Sequence, residues 1–428
     1  MLLKLKKRVV ITGLGVVAPN GVGLDAFQHA VKKGISGIKH IEELERLKFS
    51  CQIAGLPNVT TELALNYFTE LELRNFNSSG ILYGVIAGID AWKNAGLSLN
   101  IMDEPDWDSG TIFGSGTSGI EKFRESIYKI DDFKTRNLGS TSVIQTMNSG
   151  VSAYLAGKLG LGNQVSTNSS ACTTGTESII MAYDRIQSGQ AKRILAGSTS
   201  DSGPYIWGGF DAMRVCTFKH NDSPETGSRP MSASASGFVP GSGAGALLLE
   251  DLESALKRGA RIYAEVAGGA LNSGGQRGLG SLTAPNPMAV QKCIKNAIAN
   301  AGIMAQDVDA INGHLTATSK DSLEISNWSL ALDRVGIDFP YINSLKSTVG
   351  HCLSASGSIE SVASVLQLHQ GFVFPNINCE DLHPEITSII DSSRISNELI
   401  EKDLNVVLKA SFGFGDVNGC VVFKKFKN

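Results

Sequence analysis

Three segments of this chain occur twice, in the same order, and that duplication constrains its fold more than any other feature. RVVITGLGVVAPNG near the start is matched by RIYAEVAGGALNSGG at residue 261. ACTTGTESIIMAYDRIQSGQ at residue 171 is matched by GHCLSASGSIESVASVLQLHQG at residue 350, and GFVPGSGAGALLLED at residue 237 by GFGDVNGCVVFKK at residue 413. Each match is loose, but three in order point to two copies of one architecture. At 428 residues the chain also exceeds what one hydrophobic core organises. We therefore expect an N-terminal half over residues 1–255 and a C-terminal half over residues 256–428. The spacing between copies shrinks along the chain, which places insertions in the first half, between residues 200 and 236.

Within this frame short apolar runs alternate with longer helical patterns. RVVITGLGVV, GTIFGSG, KRILAGSTS and GAGALLLED read as strands, and SSGILYGVIAGIDAWKNAG and CTTGTESIIMAYDRIQSGQ as helices. That alternation predicts an α/β layered fold. A hydrophobic fraction of 42% and a charged fraction of 18% are those of an ordinary globular protein. A net charge of −3 argues against a nucleic-acid binder. The 47 glycines cluster at predicted strand ends, as at Gly13, Gly15, Gly241, Gly243, Gly413 and Gly415, where tight turns bring backbone close to a ligand. The basic start MLLKLKK precedes a short β-branched run that ends at Pro19–Asn20, so it reads as a first buried strand rather than a signal peptide. No run of about twenty apolar residues exists, so no membrane span is expected. Seven cysteines without pair spacing fit reduced thiols in the cytoplasm.

Three segments could carry chemistry. Cys172 lies in STNSSACTTGTESIIMAY, where small polar residues give way to a helical pattern. A cysteine at a helix N-terminus is favoured as a thiolate, although free cysteines are also commonly buried and inert, and the local sequence leaves both readings open. His314, in DAINGHLTATSKDSLE, sits where a strand opens into a Thr/Ser-rich loop, the place where α/β folds put reactive groups; a loop histidine is also often only a surface residue. His351, in KSTVGHCLSASG, opens a helix and by the repeat stands one position before the place of Cys172. Pseudo-symmetry would bring these helix starts to one site. A thiolate can hold an acyl group as a thioester, and two histidines can hydrogen-bond the oxygen of a second thioester as it loses carbon dioxide. Lys346 could add positive charge or form a structural ion pair, for which Glu324 is the obvious partner.

At these residues the chain resembles the β-ketoacyl synthases of fatty acid and polyketide assembly, which share the thiolase fold. The resemblance runs end to end, through VVITGLGVVAPNG, SACTTG, GFVPGSGAGALLLEDLESALKRGARIYAEV, TAPNP, KSTVGH and SFGFGDVN. It implies two pseudo-repeated halves in a five-layer α-β-α-β-α arrangement and a triad of Cys172, His314 and His351. Lys346 and Glu324 match the family's lysine and acid, and the amides of Cys172 and Phe414 its oxyanion hole, with the Phe414 ring as gate. It implies a decarboxylative condensation of an acyl group on Cys172 with malonyl-carrier protein, with no metal and no cofactor beyond the phosphopantetheine arm of an acyl-carrier protein. It also implies a dimer, homomeric or with a related subunit. Departures from the family pattern are the run PMSASASGF, Ser242 for a glutamate, Asp416 for a glycine, and Arg74 flanked by Glu70 and Glu72 where a basic carrier-docking strip is common. They point to a specialised chain, such as an aryl polyene or flexirubin-like product.

The alternatives fit less well. A non-decarboxylating thiolase needs a second cysteine in the closing glycine-rich loop, whereas Cys420 falls on the following strand. A chain-length-factor subunit usually lacks the nucleophile. The Gly13-Leu-Gly15 pattern lacks the helix and acid of a dinucleotide site. A zinc site would want a close ligand pair, and a papain-like hydrolase would not be duplicated.

Overall fold

A computed structural model describes residues 6–100 and 103–427; the start of the basic lead, residues 1–5, lies outside them. Among the described residues eleven strands form the main sheet; the short strand Gly21–Val22 pairs only with the end of the first, and the other ten make its continuous path. These ten are β1 (Val9–Ala18), β2 (Ser109–Ser115), β3 (Val165–Ser166), β4 (Arg193–Ser200), β5 (Gly243–Asp251), β6 (Ala264–Ser273), β7 (Ala310–Asn312), β8 (Tyr341–Asn343), β9 (Val406–Gly413) and β10 (Val417–Lys424). Their order across the sheet is β8-β7-β9-β10-β6-β1-β5-β4-β2-β3. Read outward from the middle, the two halves have one topology. β1 pairs antiparallel with β5 and β5 antiparallel with β4, while β2 runs parallel to both β4 and β3. In the second half β6–β10 and β10–β9 are antiparallel, and β7 is parallel to β9 and β8. All three sequence matches fall on equivalent elements.

The halves are not separate sheets. β1 and β6 pair antiparallel through Val9↔Val266, Val10↔Glu265 and Ile11↔Ala264, joining both into one hydrogen-bonded path. Strands buried along their whole length, such as β1, β2, β5 and β9, explain the near-continuous Val/Ile/Leu/Ala/Gly runs: helices cover both faces.

Six helices supply the other layers: α1 (Ser79–Asn94), α2 (Gly150–Leu159), α3 (Thr174–Gln187), α4 (Pro287–Asn300), α5 (Asp321–Leu332) and α6 (Ser356–Gln370). α1 packs on β1, β4 and β5, with α2 against it; α4 packs on β6 and β10, with α5 against it. α3 and α6 pack against each other and against strands of both halves, which makes the five layers α-β-α-β-α of the thiolase-like fold. α6 is buried from Ser356 to Leu368. A helix with no wet face must bond its own polar groups, and the hydroxyls of Ser358, Ser361 and Ser364 donate to carbonyls three or four residues back at 2.6–3.1 Å.

The extra length of the first half is partly where the spacing puts it, between Ser200 and Gly243, against Gly413 and Val417 in the second half. A second portion lies between Ala18 and Ser109, against Ser273 and Ala310. Among the described residues no helix is long and apolar enough to cross a membrane.

Candidate active site

The two central helices begin alike. A single turn of 3-10 helix, Ala171–Thr173, precedes α3, and another, Leu353–Ala355, precedes α6. Each turn starts on a non-glycine residue in the left-handed region, Ala171 at φ 50° and Leu353 at φ 51°. The helices then cross at Gly175 and Gly357, where an added Cβ would stand 2.3 Å from Ser358 N and 2.6 Å from Thr176 N respectively. This geometry corrects the register read from the repeat. Cys172 is equivalent to Ser354, and His351 lies three residues before that place rather than one, because the kinked turn and the glycine crossing fix the alignment.

Cys172 and the two histidines converge. Cys172 Sγ is 3.1 Å from His351 Nε2, and the ligand atoms of Cys172, His314 and His351 all lie within 4.8 Å of one another. Cys172 is partly exposed, whereas the other six cysteines are buried; all seven are free thiols. The amides of Phe414 and of Cys172 itself both reach the sulfur. Position at a helix start predicts a favoured thiolate, but burial wins in the resting site: it pushes the Cys172 thiol up to about 11, opposed by the positive charge of Lys346.

The His351 tautomer follows from its neighbours. The Leu353 amide donates to Nδ1 at 3.2 Å, and the Ser356 hydroxyl lies 2.9 Å from the same nitrogen. A backbone N–H can only donate, so Nδ1 accepts and the neutral ring carries its proton on Nε2, facing the sulfur. The backbone is clamped as well, with His351 N donating to Val239 O at 2.7 Å and Gly241 N to His351 O at 2.9 Å. The His314 ring stands edge-on to it, centroids 5.4 Å apart. Burial, then Lys346 and Lys409, drives both histidines well below the usual 6.5, with His351 adding to the effect on His314, so both are neutral. Lys346 and Lys409 place positive charge near both histidines.

Glu324 and Lys346 do not pair with each other, contrary to the ion pair read from the sequence. Glu324, in the first turn of α5, accepts the amides of His314 and Leu315, each at 2.7 Å, and the Trp328 indole at 3.3 Å. It shapes the His314 loop, and burial raises its pKa to about 7. Asp321, which accepts the amides of Thr316 and Ala317, supports the same loop and is raised by burial to about 6. Lys346 instead meets Glu360 of α6 at 2.5 Å, and Lys409 of β9 approaches the same carboxylate at 2.8 Å. No motif in the sequence marks Glu360 or Lys409, although each is a charged residue inside an otherwise small or apolar run.

Two cavities meet at Cys172, Phe210 and Phe414. One, of about 390 Å³, is lined by both histidines, Phe238, Thr316, Thr318 and Lys320. The other, of about 230 Å³, is lined by Ile120, Tyr205, Ile206 and Leu353. The Phe414 ring lies between them, 6.1 Å from Phe210. Asp416, the departure in the closing loop, is fully buried at φ 62° and accepts the amides of Asn286 at 2.8 Å and Gln276 at 2.9 Å. The altered run before Gly237 is held by Asp381, which accepts from Ser234 N at 2.9 Å and from the Ser232 hydroxyl.

Known proteins match this arrangement. Residues 6–255 match the N-terminal domain of β-ketoacyl synthase and residues 263–380 its C-terminal domain. A chloroplastic 3-oxoacyl-[acyl-carrier-protein] synthase I of Arabidopsis thaliana is 33% identical over 99% of this chain and 87% of its own length. Among solved structures, a type II polyketide ketosynthase in complex with its acyl-carrier protein and bound to the hexaketide superposes with a TM-score of 0.86. It is 28% identical and covers 98% of this chain and 100% of its own. The ishigamide ketosynthase/chain length factor superposes with a TM-score of 0.87 at 25% identity, covering 99% of this chain and 100% of its own.

Proposed function

The chain belongs to the β-ketoacyl synthase family of condensing acyltransferases, and from that premise we propose that Cys172 carries the acyl group while His314 and His351 run the decarboxylation. The observation that carries this reading is the 3.1 Å approach of His351 Nε2 to Cys172 Sγ, with Nδ1 held as an acceptor.

The first step is thioester exchange. Cys172 sulfur attacks the acyl carbonyl on the carrier's phosphopantetheine arm; the carrier sulfur leaves and takes up the proton that the Cys172 thiol gives up. The amides of Cys172 and Phe414 face the oxyanion of that step. Malonyl-carrier protein then binds. Its carbon–carbon bond to the carboxylate breaks, carbon dioxide leaves, and the electron pair becomes an enolate whose oxygen accepts from His314 and His351. The carbanion attacks the Cys172 thioester, forms the new carbon–carbon bond, and releases the cysteine sulfur. No metal or cofactor beyond the carrier's arm enters this sequence.

The larger cavity, with Thr316 and Thr318, suits the arm, and the smaller, apolar one suits the acyl chain. The partner is a second synthase subunit, identical or related. Support comes from the helix Ile120–Asp131, which exposes Phe123, Ile127, Tyr128 and Ile130, and from the resemblance to a ketosynthase/chain length factor. Seven free thiols support action in the cytoplasm. The departures at Ser242 and Asp416 support a specialised chain, polyunsaturated or aryl-primed.

Intact-mass spectrometry with a panel of saturated, polyunsaturated and aryl-primed acyl-carrier proteins tests the reading. An adduct mapped to Cys172 is expected, formed fastest with a specialised acyl group. Fastest transfer of ordinary saturated chains would overturn the specialised role. Absence of any adduct would move the chain to a partner subunit.

A further inference from the structure

Two lysines share one carboxylate beneath the site. Lys346, Glu360 and Lys409 have side chains no more than 1% exposed, and both ammonium groups reach Glu360, at 2.5 and 2.8 Å. Lys409 stands on β9 between Leu408 and Ala410, and also donates to Ala410 O and, at 3.1 Å, to Ser411 Oγ. A buried charge is costly unless it is paired. Lys346 and Glu360 alone would cancel; with Lys409 the cluster carries one positive charge in excess, enclosed behind the histidines.

We propose that Lys409 converts the Lys346–Glu360 pair into a cationic cluster that keeps His314 and His351 neutral and donating. Lys409 touches neither substrate nor the reacting atoms, so it is a positioning residue, and its role in catalysis rests on the decarboxylation proposed above. Neutrality matters geometrically. A proton added at His351 Nδ1 would turn that nitrogen from an acceptor into a donor facing the Leu353 N–H, which is itself a donor. The titratable and charged groups facing the histidines are Cys172 at the start of α3, Lys320 just before α5, Asp321 and Glu324 on α5, Lys346 ahead of His351, Glu360 on α6 and Lys409 on β9. Glu324 accepts the His314 and Leu315 amides, and burial raises its pKa to about 7, so it is protonated in the acid range where the histidines titrate and Lys409 is the source of the excess. Burial is the largest cause of the depressed histidine values, and Lys346 and Lys409 both act in the same direction.

The test is a pH titration of the full chain labelled with 13C-histidine, read by NMR, beside the pH profile of malonyl-carrier decarboxylation. Lys409→Met should raise the His314 and His351 midpoints by about one pH unit and move the acid limb of decarboxylation up with them. Lys409→Arg should titrate as the native chain does. The double variant Lys409→Met with Glu360→Gln leaves Lys346 as the single excess charge and should return the midpoints to near their native positions. Should Lys409→Met not fold, Lys409→Gln, which can still bond Ala410 and Ser411, carries the same expectation. Unmoved midpoints in the neutral variants, or a double variant that titrates like Lys409→Met, would overturn the proposal. A native enzyme that releases no carbon dioxide would sink the decarboxylation reading while the NMR titration still decided the effect of Lys409.

Discussion

The start of α3 and the start of α6 are the same piece of backbone with different chemistry. Both have a left-handed residue, a 3-10 turn and a glycine at the crossing, yet one presents Cys172 and the other Ser354. The Ser354 hydroxyl donates to Thr199 O at 2.6 Å and is buried. Among the described residues no carbonyl accepts from the Cys172 sulfur; its neighbours are its own amide and, from the opposite half, the Phe414 amide and the His351 ring. Backbone geometry therefore does not by itself distinguish the two positions. What differs is what the other half brings to face the side chain, and a duplicated fold can assign the nucleophile to one copy and the proton-bearing rings to the other.

Substitutions test this proposed division of labour in graded ways. Cys172→Ala should lower acyl transfer by at least about a thousandfold, read as loss of the adduct in intact mass, because Ser354 cannot take over. His351→Ala should lower malonyl-carrier decarboxylation by about a hundredfold, followed as carbon dioxide release, with acylation of Cys172 retained. Gly357→Ala puts a Cβ 2.6 Å from Thr176 N at the helix crossing; it should cost about 1–3 kcal/mol, seen as a lower thermal midpoint, and reduce both half-reactions together. The smallest effect is on stability against pH. His351 is depressed below its ordinary 6.5, so its contribution is fully present above that value and is lost as pH falls, because the unfolded chain takes up the proton first. His351→Phe should therefore lose less stability than the native chain between pH 7 and 5, by about 1 kcal/mol, measured by thermal melts; equal losses would contradict the buried neutral ring.

Much of this was legible in the residues. The alternation of runs gave the α/β layers, the ordered repeats marked β1/β6, α3/α6 and β5/β10 as equivalents, and the motifs singled out Cys172, His314 and His351, which the fold brings together. What was not legible depended on reach and register. Spacing cannot say that Glu324 turns toward the amides of its own loop while Lys346 reaches Glu360 on the following helix. The loose match GHCLSASG against ACTTG offered Cys352 as the counterpart of Cys172, whereas the glycine crossing selects Ser354. Lys409 reads as one polar position in an apolar strand until the fold buries it beside Glu360. Phe210 and Phe238 come to the site from the long connection after β4, where no periodic pattern points inward.

The most direct test of the divided site follows both half-reactions in one sample, by intact-mass spectrometry of enzyme and carrier with acyl-carrier and malonyl-carrier proteins supplied separately. Cys172→Ala should show no acyl adduct yet still convert malonyl-carrier to acetyl-carrier, and His351→Ala should show the adduct on Cys172 with the malonyl mass unchanged. If His351→Ala condensed at the native rate, the assignment of acyl holding to one half and decarboxylation to the other would be wrong.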